Sequence, residues 1–190
     1  MPIISKASRF FESADQREYA FCQCINRIVR FRPVLRYFQL VSRLGDGWFW
    51  YVLILSAPFI EPEAGAGLAL LMALTGLTCT LTYKLLKRWL IRERPFISFP
   101  SINCCTPPLD RYSFPSGHTL HAACFQAMLF MTTPELALAT LPFTLSVAAS
   151  RVVLGLHYPT DVLAGALIGG LMGYLSTLYF LSDFLALFPG

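Results

Sequence analysis

The chain has 190 residues, of which 55% are hydrophobic and 14% charged, and its formal net charge is +4. Soluble domains carry roughly 25% charged residues, so this composition excludes an ordinary soluble domain. The apolar residues are organised in long runs, which is typical of a chain whose solvent is the lipid bilayer. The length suits one compact helical domain.

Residues 1–46 form a basic, amphipathic segment. Apolar side chains within residues 17–43 favour a helix, but arginines alternate with them. Four arginines within ten positions would cost too much free energy in a helix that faces lipid. We therefore expect a helix that lies in the membrane interface and is interrupted near Pro33. A solvated arm is the alternative.

Five apolar stretches after this segment predict membrane-spanning helices. The first, residues 47–60, opens with an aromatic cluster that suits the headgroup region, although it is short for a complete crossing. The other stretches are residues 65–91, 117–133, 135–153 and 158–182. The predicted fold is an all-α polytopic membrane bundle of about five transmembrane helices, within residues 47–190, plus an N-terminal interfacial helix.

Small residues mark one face of the last stretch. Gly165, Gly169 and Gly173 recur every four positions, so another helix can approach this face closely. We expect the face to pack inside the monomer. A homodimer interface is the alternative, and the choice between monomer and homodimer stays open.

Basic residues are confined to one side of this predicted topology. The N-terminal segment, the long loop 95–115 and the last interhelical loop share that side. All fifteen Lys and Arg residues lie on it or in the adjoining helix ends. The opposite side carries the acidic residues Glu61, Glu63, Glu135 and Asp183. The positive-inside rule then predicts a bacterial inner-membrane protein whose basic side faces the cytoplasm.

Three short segments on the basic side carry candidate functional residues, and the first runs from Lys87 to Pro95. Lys87 and Arg94 are seven positions apart, so about two helical turns would place them on one face. Pro95 is expected to end the helix there. Two cations at a membrane boundary can bind an anion, whereas snorkelling side chains at the interface are the alternative.

The second segment, Pro115-Ser116-Gly117-His118, opens an apolar stretch. Free backbone N–H groups and the helix dipole attract phosphate to a helix N-terminus. Ser116 adds a hydroxyl donor, and Gly117 lets the backbone approach a ligand. His118 could donate a proton to an oxygen that leaves phosphorus. A capping serine followed by an ordinary helical histidine is the alternative.

The third segment contains Arg151, His157 and Asp161. His157 and Asp161 are four positions apart, which would place them on the same helical face. A carboxylate bound to one imidazole nitrogen fixes the tautomer and leaves the other nitrogen as a nucleophile. Arg151 supplies a planar fork that matches phosphate oxygens. A buried ion pair is the alternative.

Together the segments supply cations, a helix N-terminus and two histidines at one membrane face. Phosphoryl transfer needs little beyond positioned groups and stabilisation of charge on the equatorial oxygens. No cluster of Asp and Glu suited to Mg²⁺ is visible in the sequence. We therefore predict a reaction without metal or other cofactor, in which the cations neutralise the developing charge.

The three segments resemble the signature of the type 2 phosphatidic acid phosphatase superfamily. Its elements K-x6-R-P, P-S-G-H and S-R-x5-H-x3-D all match, in order, over residues 87–161. The resemblance implies a lipid phosphatase in which His157 becomes phosphohistidine, Asp161 orients it, and His118 protonates the leaving oxygen and then activates water. It also implies a set of residues that hold the phosphoryl oxygens: Lys87, Arg94, Ser116, Gly117 and Arg151.

Other residues near these segments are candidates for contact with the substrate headgroup. They are His121, Arg88, Arg92, Arg111 and Tyr112. Helix packing is the alternative for His121. For the arginines it is the setting of membrane topology.

The expected partners are the bilayer and a lipid phosphate, and no nucleic acid is expected. The resemblance implies substrates such as phosphatidylglycerophosphate, phosphatidic acid, polyprenyl phosphates or diphosphates, and lipid A phosphates. A non-catalytic protein that binds or transports lipid is one alternative. A vanadate haloperoxidase is another, although those enzymes are soluble and larger.

Overall fold

The computed structural model describes residues 2–60 and 62–187, and the side chains of residues 11, 13–60 and 62–180. Throughout this part of the chain the regular elements are helices, which confirms the predicted all-α fold. Two acidic residues used for the predicted charge asymmetry, Glu61 and the side chain of Asp183, lie outside the described residues, as do residues 188–190 of the predicted membrane domain.

The N-terminal segment folds into two helices. α1 covers Pro2–Asn26, and a short 3₁₀ turn, Arg27–Arg30, leads into α2, Arg32–Arg43. Phe31 is extended between them, and Pro33 lies in the first turn of α2. Backbone N–H groups in a first turn have no helical acceptor, so proline costs no hydrogen bond there. The predicted interruption near Pro33 is therefore confirmed.

A π-helical turn, Leu44–Trp48, connects α2 to α3, Phe49–Ile60. Gly47 in this turn has φ 142°, a conformation that side chains rarely allow. The turn redirects the chain, and it carries Asp46 to the end of the bundle where the basic segments lie.

The remaining helices are α4, Gly65–Trp89; α5, Pro95–Ser98; α6, Gly117–Thr132; α7, Pro134–Val153; and α8, Pro159–Leu187. Within the described residues, α4, α7 and the part of α8 up to Phe180 are long and apolar enough to cross a membrane. Two other predicted spans are shorter than the roughly 20 residues of a complete crossing. α3 has 12 residues, and α6 has 16.

α6 lies at the centre of the bundle, against α4, α7 and α8. Its backbone meets the glycine face of α8 directly: a Cβ built on Gly165, Gly169 or Gly173 would lie 2.0–2.6 Å from a carbonyl oxygen of α6 or of its N-cap residue. Only glycine allows helix backbones to approach this closely. The glycine face therefore packs inside the chain, as predicted, and it holds the N-terminus of α6 in place.

Candidate active site

A cavity of about 630 Å³ opens at the end of the bundle where the basic segments meet. One part of its lining is polar and comes from all three predicted segments: Lys87, Arg94, Gly117, His118, Arg151 and His157. The other part is apolar and comes from α3, α4 and α6, with Trp50, Ile54, Met72, Leu77 and Phe125 among its residues. The cavity therefore joins a charged end to an apolar channel between helices.

Lys87 and Arg94 reach the cavity by a route that differs from the prediction. α4 ends at Trp89, and Arg94 is extended, so the two cations do not share a helical face. They converge on Asp110 instead: Lys87 Nζ and Arg94 Nη2 each lie 2.7 Å from its Oδ1. Sequence analysis missed Asp110, although it is the only acidic residue of the loop 95–115.

Two buried arginines accompany His157: Arg94 contacts its ring, and Arg151 acts on it electrostatically. Arg94 Nη1 lies 3.2 Å from His157 Nε2 and donates to the carbonyl of Leu156 at 2.8 Å. Arg151 donates from Nη1 to Ser42 Oγ of α2 at 2.5 Å. Its buried Nε has no hydrogen-bond partner among the described residues. A donor on Arg151 is therefore unused beside the cavity.

His157 and Asp161 lie side by side, but not on one helical face as predicted. α8 begins only at Pro159, so His157 precedes the helix and Asp161 belongs to its first turn. Asp161 Oδ2 accepts from the Tyr158 backbone at 2.9 Å and lies 3.5 Å from His157 Nδ1. That distance is longer than an N–H···O hydrogen bond, so Asp161 is a close neighbour of Nδ1 and not its hydrogen-bond acceptor.

The surroundings of His157 favour its neutral form. Burial, together with the cations of Arg94 and Arg151, lowers the pKa of His157 well below its ordinary value. A neutral imidazole has a free lone pair on one nitrogen, which is the form that can attack an electrophile. Because arginine has no acceptor, Arg94 Nη1 donates to Nε2, which is therefore the nitrogen that carries the lone pair.

Arg92 corrects one expectation, because it is buried and does not face a lipid headgroup. Its Nη1 lies 2.5 Å from Asp161 Oδ1, and its Nε donates to Asp15 Oδ1 of α1 at 2.8 Å. Its guanidinium lies 4.0 Å from the ring centroid of Tyr158. The reason is electrostatic: the carboxylate of Asp161 is fully buried, and a buried charge requires a partner. Arg92 thereby connects α1 to the pair formed by His157 and Asp161.

His118 lies in the first turn of α6, where its Nε2 hydrogen-bonds the carboxylate of Asp46. Sequence analysis did not single out Asp46; the signal was an acidic residue between Gly45 and Gly47. Gly117 lines the cavity at the helix N-terminus, as predicted from its position. Ser116 differs from the expectation, because it is buried behind the lining and its Oγ lies 3.0 Å from Thr119 Oγ1.

Of the candidate headgroup contacts, only His121 lines the cavity. Its Nδ1 lies 2.9 Å from the carbonyl oxygen of Gly117. Arg88 and Arg111 are exposed outside the lining. Tyr112 contributes its carbonyl, which accepts from Lys87 Nζ at 2.8 Å. These positions leave Arg88, Arg111 and the Tyr112 ring away from the cavity.

Comparisons with known proteins found similar sequences and structures. A family model described as the PAP2 superfamily matches residues 64–184. A stretch of 82 residues, 42% of this chain and 42% of the relative, is 43% identical to decaprenylphosphoryl-5-phosphoribose phosphatase of Mycolicibacterium smegmatis. Another of 84 residues, 44% of this chain and 41% of the relative, is 34% identical to undecaprenyl-diphosphatase of Sulfolobus acidocaldarius. The chain thus spans less than half the length of these curated relatives.

A solved structure extends the likeness to almost the whole chain. The transmembrane PAP2-type phosphatidylglycerolphosphate phosphatase of Bacillus subtilis superposes with a TM-score of 0.69 and 25% identity, over 96% of this chain and 98% of that one. With three helices suited to crossing a membrane among its described residues, the chain is an integral membrane protein.

Proposed function

Because the chain belongs to the PAP2 superfamily, whose model matches residues 64–184, we propose that it removes phosphate from a membrane lipid. The observation that carries this proposal is the cavity, which has cations and histidines at one end and an apolar channel between α3, α4 and α6 at the other. A lipid phosphate has the same two parts. Phosphatidylglycerophosphate, phosphatidic acid and polyprenyl phosphates or diphosphates are the candidate substrates.

In the proposed first step, His157 Nε2 attacks phosphorus, and the bond from phosphorus to the lipid oxygen breaks. His118 gives its proton to that oxygen, so the lipid leaves as an alcohol. Arg94 is suited to hold the phosphoryl group beside the nucleophile, because its Nη1 is 3.2 Å from Nε2. The free Nε of Arg151 supplies a second donor. Asp161, beside Nδ1, stabilises the positive charge that develops on the imidazole.

In the proposed second step, water attacks the phosphohistidine. His118 accepts a proton from the water, the P–N bond breaks, and phosphate leaves while His157 becomes neutral again. Lys87, Arg94 and Arg151 provide positive charge around the phosphoryl group in both steps. In this mechanism they take the place that Mg²⁺ has in many phosphoryl-transfer enzymes.

The test is phosphate release by the purified chain in detergent. The panel contains phosphatidylglycerophosphate, phosphatidic acid, a polyprenyl phosphate, its diphosphate and a lipid A phosphate, each with EDTA and with added Mg²⁺. We expect release from at least one lipid at rates that EDTA does not lower. Loss of activity in EDTA that Mg²⁺ restores would contradict the metal-free reaction. No release from any lipid by folded protein would contradict the proposed function.

We also propose that the site faces the cytoplasm from a bacterial inner membrane, because all fifteen Lys and Arg residues belong to the predicted side that carries it. A membrane-impermeant maleimide tests the orientation. Cys104 is exposed in the loop beside the site, and Glu63 is exposed at the opposite end. With Cys104 as the only remaining cysteine, we expect labelling in inverted vesicles and not in intact spheroplasts. Glu63→Cys in a cysteine-free chain is the control and should show the reverse; the opposite pair of results would refute the orientation.

A further inference from the structure

The position of Asp46 is set by two glycines that flank it. Gly45 is buried, and a Cβ there would lie 3.0 Å from a methyl group of Val147 in α7. Gly47 has φ 142°, which side chains rarely allow. The turn is therefore packed in one conformation, and it holds the Asp46 side chain in the cavity lining.

Asp46 lies on the leaving-group side of the proposed reaction, and the inference drawn here rests on that proposed function. Its carboxylate hydrogen-bonds His118, the residue that gives a proton to the departing lipid oxygen. The transferred phosphoryl group belongs beside His157 and Arg94, which contact each other. Asp46 therefore faces the leaving group rather than the phosphoryl group that is transferred.

The charges that line the cavity suit a small anionic group. Lys87, Arg94 and Arg151 contribute three positive charges, and Asp46 and Asp110 contribute two negative charges. Asp110 is already paired with Lys87 and Arg94 at 2.7 Å each. Among the described residues Asp46 has no lysine or arginine within salt-bridge distance; its partner is His118, and the cation of Arg151 acts on it from farther away. The negative charge of Asp46 therefore acts on a group that lies beside His118, and Asp46→Asn removes it.

The leaving groups of the two candidate substrate classes differ in charge at that point. A phosphate monoester leaves behind an uncharged alcohol. A diphosphate, attacked at its outer phosphorus, leaves behind a lipid monophosphate, whose oxygens carry between one and two negative charges at neutral pH. In the diphosphate, this inner phosphate would have to lie beside His118 and hence beside Asp46.

We propose that Asp46 is a specificity-determining residue that makes the chain select lipid phosphate monoesters over lipid diphosphates, by placing a carboxylate where the inner phosphate of a diphosphate would lie. The Asp46 side chain is 33% exposed, so solvent screens part of the repulsion. Two like charges a few ångströms apart near a protein surface still repel by enough to change a rate ratio by about tenfold or more.

The experiment compares kcat/KM for matched pairs that share one lipid: geranylgeranyl phosphate with geranylgeranyl diphosphate, and phosphatidic acid with diacylglycerol diphosphate. Release of the first phosphate is measured for the unmodified chain, for Asp46→Asn and for Glu93→Gln. Asparagine keeps the shape of aspartate and removes its charge. Glu93 is an exposed acid outside the cavity lining, so Glu93→Gln removes the same charge elsewhere on the same side.

We expect the unmodified chain and Glu93→Gln to prefer the monoester, and Asp46→Asn to lower the monoester-to-diphosphate ratio by about tenfold. A weakened His118 would slow the monoester more than the diphosphate, because a departing alcohol depends on the acid more than a departing phosphate does. The deciding readout is therefore kcat/KM for the diphosphate itself, which Asp46→Asn should raise. A preference for the diphosphate, or a diphosphate kcat/KM that Asp46→Asn does not raise, would overturn the inference while the phosphatase activity stands. If the folded chain releases phosphate from none of these four lipids and from none of the wider panel, the proposed function fails, and the inference fails with it.

Discussion

Replacing His157 with alanine is expected to lower phosphate release by at least about 10³-fold, because the reaction then lacks its nucleophile. The remaining cations would still bind the phosphate, so KM should change much less than kcat. The measurement is steady-state phosphate release from the best lipid of the panel. His121→Ala is the matched control: His121 also lines the cavity, but it is given no part in the transfer, and its replacement should cost about tenfold at most.

A trapping experiment identifies the intermediate. With ³²P-labelled lipid and rapid quenching, the unmodified chain should carry label that is stable in base and lost in acid, as expected for phosphohistidine. His157→Ala should carry none. His118→Ala should release phosphate slowly in both steps, since His118 serves as acid and then as base. Label that persists in His157→Ala would assign the nucleophile to another residue.

Replacing Gly169 with alanine is expected to lower the thermal unfolding temperature of the chain in detergent by roughly 5 °C or more. A Cβ at this position would lie 2.0 Å from the carbonyl oxygen of Leu120, and its nearest neighbours are backbone atoms of Leu120, which cannot rotate away. Forcing atoms into such a contact costs about 1–3 kcal/mol or more. For a chain of 150–250 residues, each 1 kcal/mol shifts the midpoint by about 2–4 °C.

The neighbouring glycine supplies the control. A Cβ on Gly170 would meet no atom within 4 Å, so Gly170→Ala introduces the same methyl group on the same helix without a clash. Since alanine favours a helix over glycine by about 1 kcal/mol, this variant should unfold at the same temperature or slightly higher. Equal stability of the two variants would show that α6 and α8 do not approach each other as described.

Features that depend on residues close together along the chain were accessible from the sequence. The apolar stretches 117–133 and 135–153 became α6, Gly117–Thr132, and α7, Pro134–Val153. Four-residue spacing identified the face of α8 that packs on another helix. The three short segments also contained every cation of the polar cavity lining and the histidines His118 and His157. The third histidine of the lining, His121, was a secondary candidate. Hydrophobic runs and local motifs determine these features, and both are visible in a single sequence.

Apart from Asp161, which the sequence placed beside His157, the tertiary structure alone decided which carboxylates accompany those residues. Asp46 lies 72 positions from His118, Asp15 lies 77 positions from Arg92, and Asp110 joins Lys87 to Arg94 although no helical face connects them. No periodicity links residues so far apart. Their pairing follows from the burial of charge, because an arginine or aspartate withdrawn from water is stable only beside a partner. Which partner is near enough depends on how the helices pack.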